Sequence, residues 1–162
     1  MDKSTNPGRR QRAHRSQQLR IRGLTWDQIA AVWETDHPEI GPRIALRWAI
    51  NASHQEVADR WNELDSGEST MVKARIYQFE HWPEKGRRPS IAALHALARI
   101  YQVQGRRLLT NAEYALYNAA DRAEIDRIDY RHLDANFTGA GPSPGASPAF
   151  PGTAEVASPS LS

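Results

Sequence analysis

Apolar residues recur at helical spacing in a series of short segments between residues 43 and 109. This pattern limits the fold more than any other feature of the chain. In the third segment Val72, Ile76 and Phe79 lie at i, i+4 and i+7, the spacing of one helix face, and we expect this face to lie in the core. No segment has the alternation of apolar and polar residues that is typical of a half-buried strand. The sequence therefore predicts an all-α fold.

Helix-capping residues mark where these segments begin. Thr25-Trp26-Asp27-Gln28 and Ser53-His54-Gln55-Glu56 each have the form of a capping box. In such a box a hydroxyl, and a Gln or Glu three residues later, satisfy free backbone N–H groups. Ser90 is a good N-cap for a later helix. Asp65-Ser66-Gly67 is a turn signal between two helices.

These signals divide the chain into five parts. A basic arm at 1–15 has too few apolar side chains to offset the entropy of ordering, and 135–162 is a Gly/Pro/Ser/Ala-rich tail. We predict that both are disordered. The parts between them are an accessory helix pair at 16–40, a five-helix domain at 43–110 and a C-terminal helix at 111–134. The predicted helices of the domain are 43–51, one from Ser53, 70–82, one from Ser90, and a short one with Leu108 and Leu109.

The accessory pair has two interpretations. It is either an extra layer that covers the core of a small domain, or a small helix-turn-helix of its own. Helical spacing predicts core positions for four tryptophans of the chain: Trp26, Trp33, Trp48 and Trp61. The burial of Trp82, at the end of the third helix of the domain, is left open.

The net charge of +2 is unevenly distributed. Seven basic residues and one acidic residue lie in 1–22, and eight basic and two acidic residues lie in 71–107. Acidic residues outnumber basic ones nine to three in 23–70 and six to three in 113–134. Because the second basic block includes the third helix of the domain, the charge pattern favours a polyanion as the partner.

Several classes of protein are disfavoured by what the sequence lacks. It has no cysteine, which excludes a disulfide framework and a zinc site built on cysteine. It has no apolar run near about 18 residues, so we expect no membrane contact and a cytoplasmic location. No Gly-rich phosphate loop, paired-His helix or nucleophile elbow is present. We therefore expect no enzyme activity, no metal site and no cofactor.

A set of residues follows the order of a known motif: His54, Glu56 and Ala58 on the second helix, Ile76 and Glu80 on the third, then Pro89 and the Leu-rich run 94–98. Over residues 43–110 this order resembles the Cro/CI family of phage repressors, also called the Xre family of bacterial regulators. The preceding Thr-Trp-Asp-x-Ile-Ala helix resembles actinomycete members. The resemblance implies a compact five-helix, lambda-repressor-like helix-turn-helix domain. The sequence departs from the family at His54, where Gln is usual, and in a longer, acidic connection after the second helix.

The resemblance implies sequence-specific binding of double-stranded DNA, with the exposed face of helix 70–82 in the major groove. Arg75 and Gln78 are the expected base readers, because Arg suits guanine acceptors and Gln suits adenine. Lys73 is expected on a base or a phosphate. The same face carries Tyr77 and His81. The expected phosphate contacts are Ser53, His54, Gln55, Arg87 and Arg88.

Two further expectations follow from the resemblance. Arg47 and Glu80 are expected to form a buried structural pair between the first and third helices of the domain. A reader of palindromic sites is expected to form a homodimer, with the helix at 111–134 as the candidate surface.

A second function stays open beside DNA binding. The helix-turn-helix scaffold could instead be a protein-interaction module that binds a regulatory protein through the acidic helix at 112–134.

Overall fold

The computed structural model describes residues 7–65 and 70–131. Within these ranges the chain forms helices and turns, and its β structure is one isolated bridge between Gln104 and Asp129. The elements are α1 (Arg9–Ile21), α2 (Trp26–Asp36), α3 (Pro42–Ala49), α4 (His54–Leu64), α5 (Lys73–His81), α6 (Ile91–Tyr101), a 3₁₀ turn (Gly105–Leu108), α7 (Asn111–Ala115) and α8 (Ala119–Arg127). The all-α prediction is confirmed. These elements belong to one compact unit that ends at Asp129, and a second unit begins at Tyr130.

The predicted caps of three helices are present. The side chain of Thr25 accepts a hydrogen bond from the backbone of Gln28, and that of Ser53 accepts one from the backbone of Glu56. Both capping boxes are closed by the reciprocal bond from the N-cap backbone. Ser90 caps α6 through the backbone N–H of Ala93 at 3.1 Å. Local sequence therefore determines where α2, α4 and α6 begin.

α1 begins earlier than the sequence predicts. Residues 9–15 belong to this helix, which corrects the expected disorder in that part of the arm. The buried hydroxyl of Ser16 donates to the Trp48 carbonyl at 2.8 Å and accepts from the Trp33 indole at 2.9 Å. Leu19 adds a buried apolar side chain. These tertiary contacts, rather than an apolar face, hold the helix.

α2 and α3 form the layer against which α1 packs. The rings of Trp33 and Trp48 meet edge to face, with centroids 5.2 Å apart. Trp33, Trp48 and Trp61 are buried, as predicted. Trp26 is only partly buried, which corrects its predicted core position. Its indole N–H donates to the side chain of the buried Gln102 at 3.1 Å, so its polar edge has a partner within the fold.

α5 is shorter than the predicted helix 70–82. Val72 is its N-cap and has extended backbone angles of φ −123° and ψ 154°. Half of the Val72 side chain is exposed, whereas Ile76 and Phe79 are buried. The predicted core position of Val72 is therefore wrong. Helical spacing does not apply to a residue that precedes the first turn.

In its described part, residues 111–131, the predicted C-terminal helix at 111–134 is divided into two helices, α7 and α8. The break follows from a second start signal, in which the Asn118 side chain accepts from the Asp121 backbone at 2.8 Å. Thr110 is the N-cap of α7. The predicted short fifth helix is the single 3₁₀ turn, which includes Leu108 and ends before Leu109.

Some predicted segments lie outside the described residues. These are residues 1–6 of the arm, 66–69 in the connection after α4, 132–134 of the C-terminal helix, and the tail 135–162. Within the described ranges, no helix has both the length and the apolar character needed to cross a membrane.

Candidate nucleic-acid interface

α5 has one buried face and one exposed face. Ile76, Phe79 and Glu80 are buried, and the ring of Phe79 stacks on Trp61 of α4 with centroids 5.9 Å apart. Arg75 is partly buried at the boundary between the two faces. The exposed residues of the helix are Lys73, Ala74, Tyr77 and Gln78. The candidate base readers therefore lie on or beside a face that the fold does not cover.

The basic side chains on α5 and just after it have no partner in the described part of the chain. Lys73, Arg75, Lys85 and Arg87 make no side-chain hydrogen bond and no ion pair with another described residue. The one exposed acidic residue between Lys73 and Arg87 is Glu84. This surface therefore presents positive charge that the described fold leaves uncompensated.

A turn at Gly86 brings the loop after α5 back against the helix. Gly86 has a φ of +89°, and a Cβ there would lie 2.2 Å from the carbonyl oxygen of Gln78. That oxygen accepts the backbone N–H of Arg87 at 3.1 Å, and the His81 carbonyl accepts that of Lys85 at 3.1 Å. Lys85 and Arg87 are thereby held beside the exposed face of α5.

Arg88 is directed elsewhere. Its guanidinium donates to the Leu116 carbonyl at 3.3 Å and lies 5.2 Å from the centroid of the Tyr117 ring. It contacts the end of α7, whereas Arg87 lies beside α5. The two adjacent arginines, predicted together as phosphate contacts, are thus separated by the structure.

The start of α4 already holds a carboxylate. Glu56 accepts the backbone N–H of Ser53 at 2.8 Å, and the Ser53 hydroxyl accepts the N–H of Glu56 at 3.0 Å. The hydrogen bond from the Ser53 backbone is the main cause that lowers the pKa of Glu56. The Gln55 side chain donates to Asp59 at 2.9 Å. Phosphate contact by the start of α4 stays a prediction. In the fold, the anion at this positive helix end is the carboxylate of Glu56.

Glu80 joins α5 to two other helices. Arg47 of α3 donates to its two oxygens, with Nε at 2.6 Å from Oε2 and Nη2 at 3.2 Å from Oε1. Nε2 of His54, on α4, lies 3.0 Å from Oε1. The Glu80 side chain is 2% exposed. The predicted structural pair is present, and His54 takes part in it while keeping 30% of its side chain exposed.

Three rings lie together on the exposed side of this junction. Tyr77 stacks on His81 with centroids 4.0 Å apart, and His54 lies 5.7 Å from Tyr77 at a tilt of 60°. The Nδ1 atom of His81 is 2.9 Å from the Tyr77 carbonyl oxygen. The structure therefore brings together three of the residues that the sequence singled out, one from α4 and two from α5.

Arg43 is the structural residue that the sequence analysis missed. Its guanidinium is buried and binds Glu113 of α7 through two nitrogens, at 2.8 and 3.2 Å. It also donates to the carbonyls of Phe79 at 2.8 Å, Leu108 at 2.7 Å and Trp82 at 2.7 Å. It thus holds the C-terminal end of α5 in place. The available signal was an arginine one turn before Arg47 on a short helix with few polar residues.

No group of three metal-binding side chains lies close enough to hold an ion among the residues that the structure describes. Comparison of the chain with protein-family models, with curated proteins and with solved structures finds no match. The geometry and charge of the site are therefore the observations that bear on function.

Proposed function

We propose that this protein binds double-stranded DNA in a sequence-specific manner as a transcriptional regulator of the Cro/CI (Xre) type. In this proposal α5 lies in the major groove. The observation that carries it is the set of basic side chains at 73–87 that have no partner among the described residues and surround an exposed helix face. A polyanion is the partner that such a surface fits best.

The rigid attachment of α5 supports a reading role. Its buried face is held by Phe79 against α4, by Glu80 against Arg47, and at its end by Arg43. A helix that reads bases must present its side chains in fixed positions. An α-helix with its side chains is about 10–12 Å across, which matches the major-groove width of about 12 Å.

The side chains on this surface have the chemistry of base and phosphate contacts. Arg75 has two donors in the fork that matches guanine N7 and O6, and Gln78 has the donor and acceptor that match adenine. In this proposal Lys73 contacts a base or a phosphate. Lys85 and Arg87, held by the Gly86 turn, are phosphate contacts, which add affinity without sequence information.

The arrangement of helices is consistent with the proposed family. In this interpretation α3, α4, α5, α6 and the 3₁₀ turn are the five elements of the lambda-repressor-like domain. α1 and α2 are then the extra layer that covers its core, since the indole of Trp33 packs on Trp48 of α3.

The alternative is a module that binds a regulatory protein through the acidic segment 112–134. It has less support, because the described part of that segment contains two short helices whose acidic groups are partly engaged. Glu113 is buried against Arg43, and Asp126 accepts the hydroxyl of Tyr114 at 2.9 Å. Partner binding that survives the loss of Lys73 and Arg75 would favour this alternative.

The test is a fluorescence-anisotropy titration of the full chain against randomised duplex DNA, followed by selection of bound sequences, at low and moderate salt. We expect salt-sensitive binding and an enriched sequence. Arg75→Ala should relax the preference at one base pair and cost about 1–3 kcal/mol. The matched control is Arg99→Ala, an exposed arginine on α6 with no side-chain partner in the described residues. Absence of binding at low salt, or equal losses in both variants, contradicts the proposal.

A further inference from the structure

α1 begins beside the start of α4. The guanidinium of Arg9 donates to the Asn51 carbonyl at 3.3 Å and to the Glu56 carboxylate at 3.0 Å. Asn51 lies in the turn before α4 and Glu56 in its first turn, where His54 also approaches Tyr77 of α5. The first turn of α1 therefore borders the surface proposed to face DNA.

Positive charge accumulates at this end of α1. Arg12 lies 4.8 Å from the centroid of the Trp48 ring and donates to the Pro7 carbonyl at 2.8 Å. Burial lowers its pKa, and so do the nearby charges of Arg47 and Arg9. The Arg9–Glu56 pair is about half exposed on both sides, so it holds Arg9 weakly. An anion from outside the fold would relieve this repulsion.

Arg10 is the cation at this end that the described fold leaves without a partner. Its side chain is exposed and makes no hydrogen bond or ion pair with another described residue. Arg22, just after the last turn of α1, is equally exposed and equally without a partner in the described residues. The two arginines are about 18 Å apart along the helix axis. The C-terminal end of α1 does not lie at the start of α4. It lies beside Trp26, whose ring is 4.1 Å from the Arg20 guanidinium.

We infer that the first turn of α1 contacts the phosphate backbone of the duplex that α5 reads, with Arg10 as a phosphate ligand. This inference rests on the proposed function, which supplies the duplex. Basic side chains then lie on both sides of the start of α4, on α5 and on the first turn of α1, and the Glu56 carboxylate between them is bonded to Ser53 and Arg9. A phosphate, rather than a base, is the expected partner because this turn flanks the reading helix and does not extend its exposed face.

The experiment compares Arg10→Gln with Arg22→Gln in the full chain, on the same duplex, across a range of salt concentrations. Loss of one phosphate contact should reduce the slope of log K against log salt concentration by about 0.9. We expect this change, with weaker binding at low salt, for Arg10→Gln only. Arg10→Lys should retain the wild-type slope because it keeps the charge. Circular dichroism checks that the helix content of each variant is unchanged.

The possible failures are distinguishable. If the wild-type chain binds DNA but Arg10→Gln and Arg22→Gln share its slope, the inference about α1 is overturned and the proposed function stands. If the two variants lose the same amount, the effect is general electrostatics and the inference is again overturned. If the wild-type chain does not bind DNA at low salt, the proposed function and this inference are overturned together.

Discussion

α3 and α5 use their basic residues in opposite ways. In α3, Arg43 and Arg47 are buried, and each binds a carboxylate as well as backbone carbonyls. In α5, Lys73 and Arg75 have no such partner in the described residues. The same chemical groups therefore stabilise α3, whereas on α5 they carry positive charge that no described acceptor compensates. A cation becomes structural where the fold supplies its acceptors, and it stays available for a ligand where the fold supplies none.

The two helices are also connected through these groups. Arg47 binds Glu80 on the buried face of α5, and Arg43 binds the carbonyls at its end. The paired cations of α3 thus position the face of α5 that carries the unpaired ones. Changes to the first set should alter stability, and changes to the second should alter ligand binding alone.

The largest expected effect is that of Arg43→Ala. It leaves Glu113 buried without its cation and removes the donors to three backbone carbonyls. We expect a loss of about 3–5 kcal/mol in the free energy of unfolding, measured by urea denaturation. The double variant Arg43→Met/Glu113→Leu should lose less, since no charge stays buried. Equal losses in the single and double variants would contradict the paired role of Arg43.

A smaller effect is expected at the turn after α5. Gly86→Ala must both adopt a positive φ and avoid the Gln78 carbonyl, so it should cost more than about 2 kcal/mol. Gly23 is the matched control, because it has a φ of +97° but no atom within 4 Å of an added Cβ. Gly23→Ala should cost about 1 kcal/mol. Thermal and urea unfolding measure both, and equal losses would show that the close approach at Gly86 has no effect.

The smallest effect is a gain in stability at the start of α5. Val72 gives this helix no side-chain cap, unlike the serines that cap α4 and α6. Val72→Ser should raise the free energy of unfolding by about 1 kcal/mol. Val72→Ala, which also lacks a capping oxygen, should leave it nearly unchanged. Loss of stability in the serine variant would show that the exposed valine makes a contact that the fold needs.

Local signals predicted the parts of the fold that local chemistry controls. The starts of α2, α4 and α6 follow from Thr25, Ser53 and Ser90, whose capping bonds span three residues. The same kind of signal at Asn118 divides the C-terminal segment, which the weak apolar face of that segment does not indicate. Helical spacing identified Ile76 and Phe79 as buried and failed where a residue precedes its helix.

Contacts between distant residues explain the remaining differences. α1 depends on the Ser16 hydroxyl reaching Trp48, 32 positions away, and nothing near Ser16 in the sequence indicates this. Arg43 meets Glu113 across 70 positions. For the candidate site, the sequence identified the exposed side chains of α5 but not the orientation of Arg88 or the carboxylate at the start of α4. Those depend on which elements become neighbours in space.

The Arg43 site also limits where the chain can be divided. The sequence placed the end of the five-helix domain at residue 110, but the carboxylate that binds this buried guanidinium lies beyond it, in α7. A fragment cut at 110 would enclose a cation whose counter-ion had been left on the discarded piece. The smallest portion that keeps this buried ion pair therefore extends at least through Glu113, so α7, outside the predicted five-helix domain, contributes to its interior.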